Sequence, residues 1–273
     1  MIVATIARDS VNSPNMEGCD AMILDRVIRE LEAMGAEVIQ AASTSDIPEK
    51  CDAICHMSRN SVTLDQLEAM EKSGIRIINT PEAVKNCSRL KFIDILEKNN
   101  IPQPEYRIFE KAEELQALPF PAWIKRGEGW SCHKDDVCHV RNMDEAVTAA
   151  ACMRERGITG LIYTRHYEGD IIKFYGVGRD FFHHSYPNPE KSKFGLEKIN
   201  GTPRQYPFDI ERLKETAFTA AEAIGLQIYG GDCIVTPNGG IYIIDINDFP
   251  SFSAIREEAA KEIAKEIIRT IQQ

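Results

Sequence analysis

The sequence predicts an α/β protein built from three lobes, and two observations carry that prediction. Over residues 1–104 short apolar strands alternate with helical stretches, which is the pattern of a parallel sheet with helical crossovers. After the break at Asn100-Ile101-Pro102-Gln103-Pro104, strands follow one another directly and helices come singly, as in α+β lobes.

Taken in order, Met1–Arg8 reads as a strand. From Asp20 to Met34 the apolar residues Ile23, Leu24, Val27, Ile28 and Leu31 recur near a 3.6 period, and Gly35 stops the helix. Strands follow at 37–41 and 52–56, then a helix at 64–73 and a strand at 75–78. Residues 81–100 read as helical up to the proline pair, the first lobe boundary. The second lobe, 105–160, holds strands at 106–109, 122–125 and 137–140, a polar glycine-bearing loop at 126–134, and a helix at 143–156. The third lobe, 161–273, opens with strands at 161–164 and 170–178. It continues through the hydrophilic loop 188–204, with its lysines at 191, 193 and 198, to a helix at 210–224. A hairpin over 231–250 and a helix at 256–270 close it.

Composition excludes several classes. The chain has 273 residues, 43% hydrophobic and 27% charged, as in an ordinary globular protein. No apolar run is long enough to span a membrane, and the start has no signal-peptide character. Eight scattered cysteines without a CxxC read as reduced thiols, so a cytoplasmic location is expected. The formal charge of −10 argues against a nucleic-acid partner, whose binding draws on cationic contacts to phosphate. No GxGxxG follows the first strand, so a dinucleotide fingerprint is absent.

The chemistry concentrates in the C-terminal hairpin. Asp232 lies on its first strand, Asp245 and Asn247 on its second, joined by Thr236-Pro237-Asn238-Gly239-Gly240. Asp245 and Asn247 share a face because the strand period is two. Three hard oxygen donors, with no Cys or His, read as a magnesium site that also needs phosphate oxygens. A polar-capped edge hairpin is the plain alternative. Lys125, on a strand ahead of the glycine-bearing loop, suits a phosphate contact, although taken alone it reads more readily as a snorkelling surface lysine. Cys132-His133 and Cys138-His139 fit no zinc spacing. His183-His184 reads as one packed and one exposed residue. Arg179, Arg204 and Arg256 are each either a bidentate grip for an oxyanion or an ordinary ion-paired arginine.

Together these residues resemble the ATP-grasp superfamily over nearly the whole chain. The likeness is strongest to ribosomal-protein glutamate ligases and, at several positions, to inositol trisphosphate kinases. Its motifs are Ile78-Asn79-Thr80-Pro81-Glu82-Ala83-Val84 followed by Arg89, then Pro121-Ala122-Trp123-Ile124-Lys125, Tyr167-Glu168-Gly169-Asp170-Ile171-Ile172-Lys173, and Asp245-Ile246-Asn247. The resemblance implies an ATP-grasp fold behind a Rossmann-like N-terminal domain, with ATP and one or two Mg²⁺ ions as cofactors. It implies Arg89 and Lys125 on the nucleotide phosphates, backbone groups near Tyr163 and Thr164 on adenine, and Glu168 on ribose. Lys173 would face the transferred phosphoryl group, His133 the substrate, and Asp232, Asp245 and Asn247 the metal. Ile162-Tyr163 departs from the Gln-Glu common there.

Three functions remain open at this point. The first is a carboxylate–amine ligase working through an acylphosphate, on an amino acid or peptide. The second is a kinase for a phosphorylated polyol, favoured by Arg89, His133 and the Asp-x-Asn pair. Against it, the loop Arg8–Pro14 has one basic residue only. The third is a non-catalytic ATP-binding module.

Overall fold

The computed structural model describes residues 1–13, 16–188 and 199–273, so Lys191, Lys193 and Lys198 of the long loop lie outside the described residues. The described residues form three four-stranded sheets, with a cavity where they meet.

The first sheet is parallel, in the order β2-β1-β3-β4, from β1 (Ile2–Ile6), β2 (Glu37–Ala41), β3 (Ala53–His56) and β4 (Arg76–Ile78). The two inner strands, β1 and β3, are buried on both faces, as their near-continuous apolar runs require. Helix α1 (Glu17–Ala33) buries Ile23, Leu24, Val27, Ile28 and Leu31. Helix α2 (Ser61–Lys72) is capped by Asn60, whose Oδ1 accepts from the Val62 and Thr63 amides. The expected helix over 81–100 is two helices, α3 (Pro81–Asn86) and α4 (Arg89–Lys98). Ser88 is extended (φ −63°, ψ 140°) and restarts the chain, which puts Arg89 at the first position of α4.

The second sheet is antiparallel, in the order β5-β8-β6-β7: β5 (Tyr106–Phe109), β6 (Ala122–Arg126), β7 (Val137–Val140) and β8 (Leu161–Arg165). Helix α5 (Met143–Glu155) covers it through Ala146, Ala150 and Met153. Since β8 lies inside this sheet, the lobe boundary expected at 160 falls after Arg165. Alternation shows that a strand is half-buried but not which sheet it joins.

The third sheet is antiparallel, in the order β10-β9-β11-β12: β9 (Asp170–Val177), β10 (Phe181–Ser185), β11 (Ile228–Val235) and β12 (Ile241–Asp248). Gly231 admits no side chain, because a Cβ there would lie 2.3 Å from the Asp245 carbonyl oxygen. Helix α6 (Ile210–Ile224) packs on one core and α7 (Arg256–Gln272) on another. Ala260, Ile263 and Ile267 of α7 share a core with Val27 and Leu31 of α1 and with Val177 and Ile228 of the third sheet. Asn79, just after β4, ties the same two sheets. Its Oδ1 accepts from the Gln227 and Ile228 amides (2.8 and 2.9 Å), and its Nδ2 donates to the Ile228 carbonyl (2.7 Å). No helix among the described residues is long and apolar enough to cross a membrane.

Candidate active site

A cavity of about 930 Å³ lies between the three sheets. Among the described residues, seven cationic side chains line it against three carboxylates, although the whole chain carries −10. That local reversal of sign suits an anionic ligand.

Sheet register sets the centre of the cavity. Lys173 of β9 stands opposite Asp232 of β11, and Asp232 stands opposite Asp245 of β12. The three side chains therefore form one row across three strands. Lys173 Nζ donates to Asp232 Oδ1 at 3.0 Å, and the Arg89 guanidinium stands 3.8 Å from Asp245 Oδ2. The row carries a cation at each end and two carboxylates between. A bulge shapes β12: the register slips between Asp232 and Cys233, so Ile244 is an extra residue. Ile244, Asp245 and Asn247 all line the cavity as a result.

Lys125 of β6 reaches the same spot from the second sheet. Burial, then the nearby Arg89 charge, lower its pKa from 10.5 to about 8, against the pull of Asp245 and Asp232. Arg89 also holds the loop after β6, donating to the Arg126 carbonyl (3.2 Å) and Ser131 Oγ (2.9 Å). Its Nε is buried with no hydrogen-bond partner. Buried Asp136 shapes that loop by accepting from the Cys132 and His133 amides, both at 2.9 Å.

The other expected residues fall at different depths. Thr164 is buried and lines the cavity. Tyr163 points the opposite way along β8, into the core of the second sheet, and its hydroxyl donates to the Pro119 carbonyl. Glu168 is exposed and is not among the cavity residues. His133 does not reach the cavity either; its Nδ1 accepts from the Asp135 amide at 3.2 Å, capping a short turn. Arg179 pairs with Glu215 on the surface, and Arg204 donates through its amide to Asp170, whereas Arg256 does line the cavity.

Several cavity residues were not singled out by the motifs. Trp123 sits two residues before Lys125 on the same face of β6, and its Nε1 donates to His166 Nδ1 at 3.1 Å. Since indole nitrogen is only a donor, His166 carries its own proton on Nε2. His139 packs edge-on against both rings, at 5.0 Å from each. At the opposite end Arg8 and Arg59 enclose buried Asp248. Arg59 Nε donates to Asp248 Oδ1 at 2.7 Å, and Arg8 Nη1 to Oδ2 at 3.4 Å. Burial would favour the neutral acid, but Arg59 and Arg8 hold the Asp248 pKa below the ordinary carboxylate value. Residues just past the C-terminal ends of parallel strands are the signal that points to Arg8 and Arg59.

No protein-family model matches the chain, and no curated protein sequence matches it. Solved structures do match over full length. The D-alanine–D-alanine ligase from Bacillus anthracis aligns with a TM-score of 0.73 at 15% identity, covering 100% of this chain and 97% of the ligase. A RimK-domain ATP-grasp protein from Sphaerobacter thermophilus aligns at 0.69 and 17%, covering 98% and 100%. The ATP-grasp ligase PsnB, solved with a minimal precursor, aligns at 0.66 and 13%, covering 98% of each chain. The protein has the ATP-grasp fold, and its N-terminal parallel sheet is the Rossmann-like domain expected in front of it.

Among the described residues, no three His, Cys, Asp or Glu side chains group closely enough to hold a metal by themselves. The donors present are two facing carboxylates and one amide. That hard, incomplete set fits Mg²⁺ when phosphate oxygens supply the remaining ligands.

Proposed function

We propose that the protein is an ATP-dependent carboxylate–amine ligase. The observation that carries this reading is the Lys173–Asp232–Asp245 row, met from two other elements by Lys125 and Arg89. Its five charged groups around one cavity match a magnesium triphosphate, whose phosphates need cations and whose metal needs carboxylates. The ligase character of the structural neighbours supports the choice of reaction.

Lys125 and Arg89 bind the phosphates, and Lys173 neutralises the charge that develops on the transferred group. Asp232, Asp245 and Asn247 would hold Mg²⁺, which supplies charge neutralisation across the phosphate oxygens when bound. The loop 126–131, fixed by Arg89, excludes water. Trp123, Thr164 and the end of β8 receive the adenine base, with the Arg165 and His166 amides already donating to Glu105 and Pro121. An acceptor carboxylate oxygen attacks the γ-phosphorus, and ADP leaves. An amine nitrogen then attacks the acyl carbon, phosphate leaves with the C–O electron pair, and the amine loses a proton. The acceptor is an amino acid or peptide. The eight unpaired cysteines fit a reducing cytoplasm.

The polyol-kinase reading loses support, since His133 turns away and Asp248 and Asp20 neutralise the arginines where a polyphosphate would need free charge. ATP labelled at the γ-phosphate, offered with Mg²⁺ to pools of amino acids, short peptides and inositol phosphates, tests the proposal. Amine-dependent phosphate release with a new amide is expected. Label stably retained on a polyol refutes the ligase, and no turnover with any pool favours a non-catalytic module.

A further inference from the structure

The far end of the cavity has no part in holding ATP, yet it is built from charged and polar groups. In the first sheet the chain leaves β1 toward β2 on one side and returns to β3 on the other, so the β1/β3 gap is its topological switch point. Open parallel sheets bind ligands in the crevice beyond such a point. Here that crevice receives Arg8, two residues past β1, and Arg59, three past β3.

A third element joins them. The Asp248 and Phe249 carbonyls accept from Arg8 Nη2 at 3.3 and 2.7 Å, which anchors the segment leading to α7. That segment lines the crevice with Ser251, Ser253 and Arg256. The two serine hydroxyls are 2.9 Å apart. Arg8 and Arg59 side chains are only 3% and 8% exposed.

Charge and hydrogen-bond capacity then show what is wanted. Three guanidinium groups face two carboxylates, Asp20 and Asp248, leaving one positive charge over. Asp248 engages Nε and Nη2 of Arg59, while the Arg59 guanidinium lies over the Trp130 ring at 5.2 Å. Two buried donors here have no hydrogen-bond partner among the described residues: Nε of Arg256 and Nε1 of Trp130. The nearest acids on α7 are directed elsewhere, Glu257 to Arg26 at 2.6 Å and Glu258 to solvent. Unsatisfied buried N–H donors beside an excess cation are a site for an oxyanion.

We propose that this crevice binds a second anionic group of the acceptor, a carboxylate or a phosphate-type oxyanion, through Arg256, Arg59 and Trp130. The acceptor class is therefore a small molecule carrying a reactive carboxylate and a distal anion. One net charge suits a single distal group and not a polyphosphate. The identity of the reacting end rests on the ligase reading, but the anion site does not.

Calorimetric titration of the full chain with glutarate, butyrate and phosphonopropionate, without nucleotide, tests this. At least one dianion binds ten-fold or more tighter than butyrate, and Arg256→Gln removes that preference. The preferred dianion tells carboxylate from phosphate-type ligands. Ser253→Ala, which keeps every charge, weakens the same dianion less and controls for misfolding of the arginine variant. Equal binding of all three ligands, absence of dianion binding, or a preference that survives Arg256→Gln overturns the site. A parallel titration with a non-hydrolysable ATP analogue and Mg²⁺ separates the two proposals. Nucleotide binding without dianion preference removes only the subsite, and dianion preference without nucleotide binding removes only the ligase.

Discussion

Replacing Lys125 by Met should make the ligand-free protein more stable while disabling it. The lysine is carried into the cavity beside Arg89, and its pKa falls from 10.5 to about 8. At about 1.4 kcal/mol per pKa unit, that fall means the charged form is disfavoured by roughly 3 kcal/mol relative to the unfolded chain. Water in the cavity screens part of this, leaving roughly 2 kcal/mol. Met keeps the volume without the charge. Below pH 8 the lysine is protonated in both states, so the penalty is fully present. Between pH 8 and 10.5 the unfolded chain holds a proton that the folded chain has released, and wild-type stability rises with pH. Above 10.5 both are neutral and the penalty is gone. Thermal unfolding at pH 7 should therefore show Lys125→Met higher by roughly 4 °C, with the gap closing toward pH 10.5. Affinity for an ATP analogue should drop about 10- to 100-fold, as for a lost charge-assisted bond. A variant less stable than wild type at pH 7, or a gap that does not change with pH, would refute the reasoning.

Three further outcomes are expected. Asp245→Ala should lower ATP turnover by at least about 100-fold yet keep the fold, because the side chain is 30% exposed and its ion pair is long; near-normal turnover would sink the metal assignment. Asn79→Ala removes three hydrogen bonds between the first and third sheets. Urea unfolding should show a loss of about 3 kcal/mol, and a loss below about 1 kcal/mol would mean that the α1–α7 core suffices to join them. Burial, then neighbouring His139, hold the His166 pKa below 6.5, so acid should protonate Nδ1 and break its bond to Trp123. Stability falls as pH drops below 6.5, because the unfolded histidine takes up its proton first. Trp123 fluorescence in a Trp130→Phe background should shift with a midpoint below 6.5, and persistence of that shift in His166→Gln would contradict the assignment.

Periodicity made most helices and strands legible, since each is defined by its own residues. The α6 helix and strands β2, β5 and β7 fall where apolar spacing puts them. What spacing misses is pairing. The Ile244 bulge has no local sequence mark, yet it decides that Ile244 and Asp245 share a face. Membership of β8 in the second sheet depends on partners far along the chain. Within the site, Asp232, Asp245 and Asn247 stood out because polar residues interrupt apolar strands, whereas Arg89 and Lys173 were reached through the family resemblance and Lys125 through both. Trp123 and Arg59 carried no such mark. His133 and Glu168 lie near these elements in sequence, but a short turn holds His133 away from the cavity and Glu168 is exposed in the link between β8 and β9.

The charged centre is assembled from parts that do not belong to one sheet. Arg89 comes from a connecting helix, Lys125 from the second sheet, Lys173 and both aspartates from the third, and loop 126–131 is steadied by Arg59 of the first. No lobe by itself carries enough positive charge to accept a triphosphate. Coulomb attraction weakens within a few ångströms once water enters, so the arrangement depends on how closely these parts meet. The charged ring around the cavity is therefore a property of how the lobes meet, and of none of them alone.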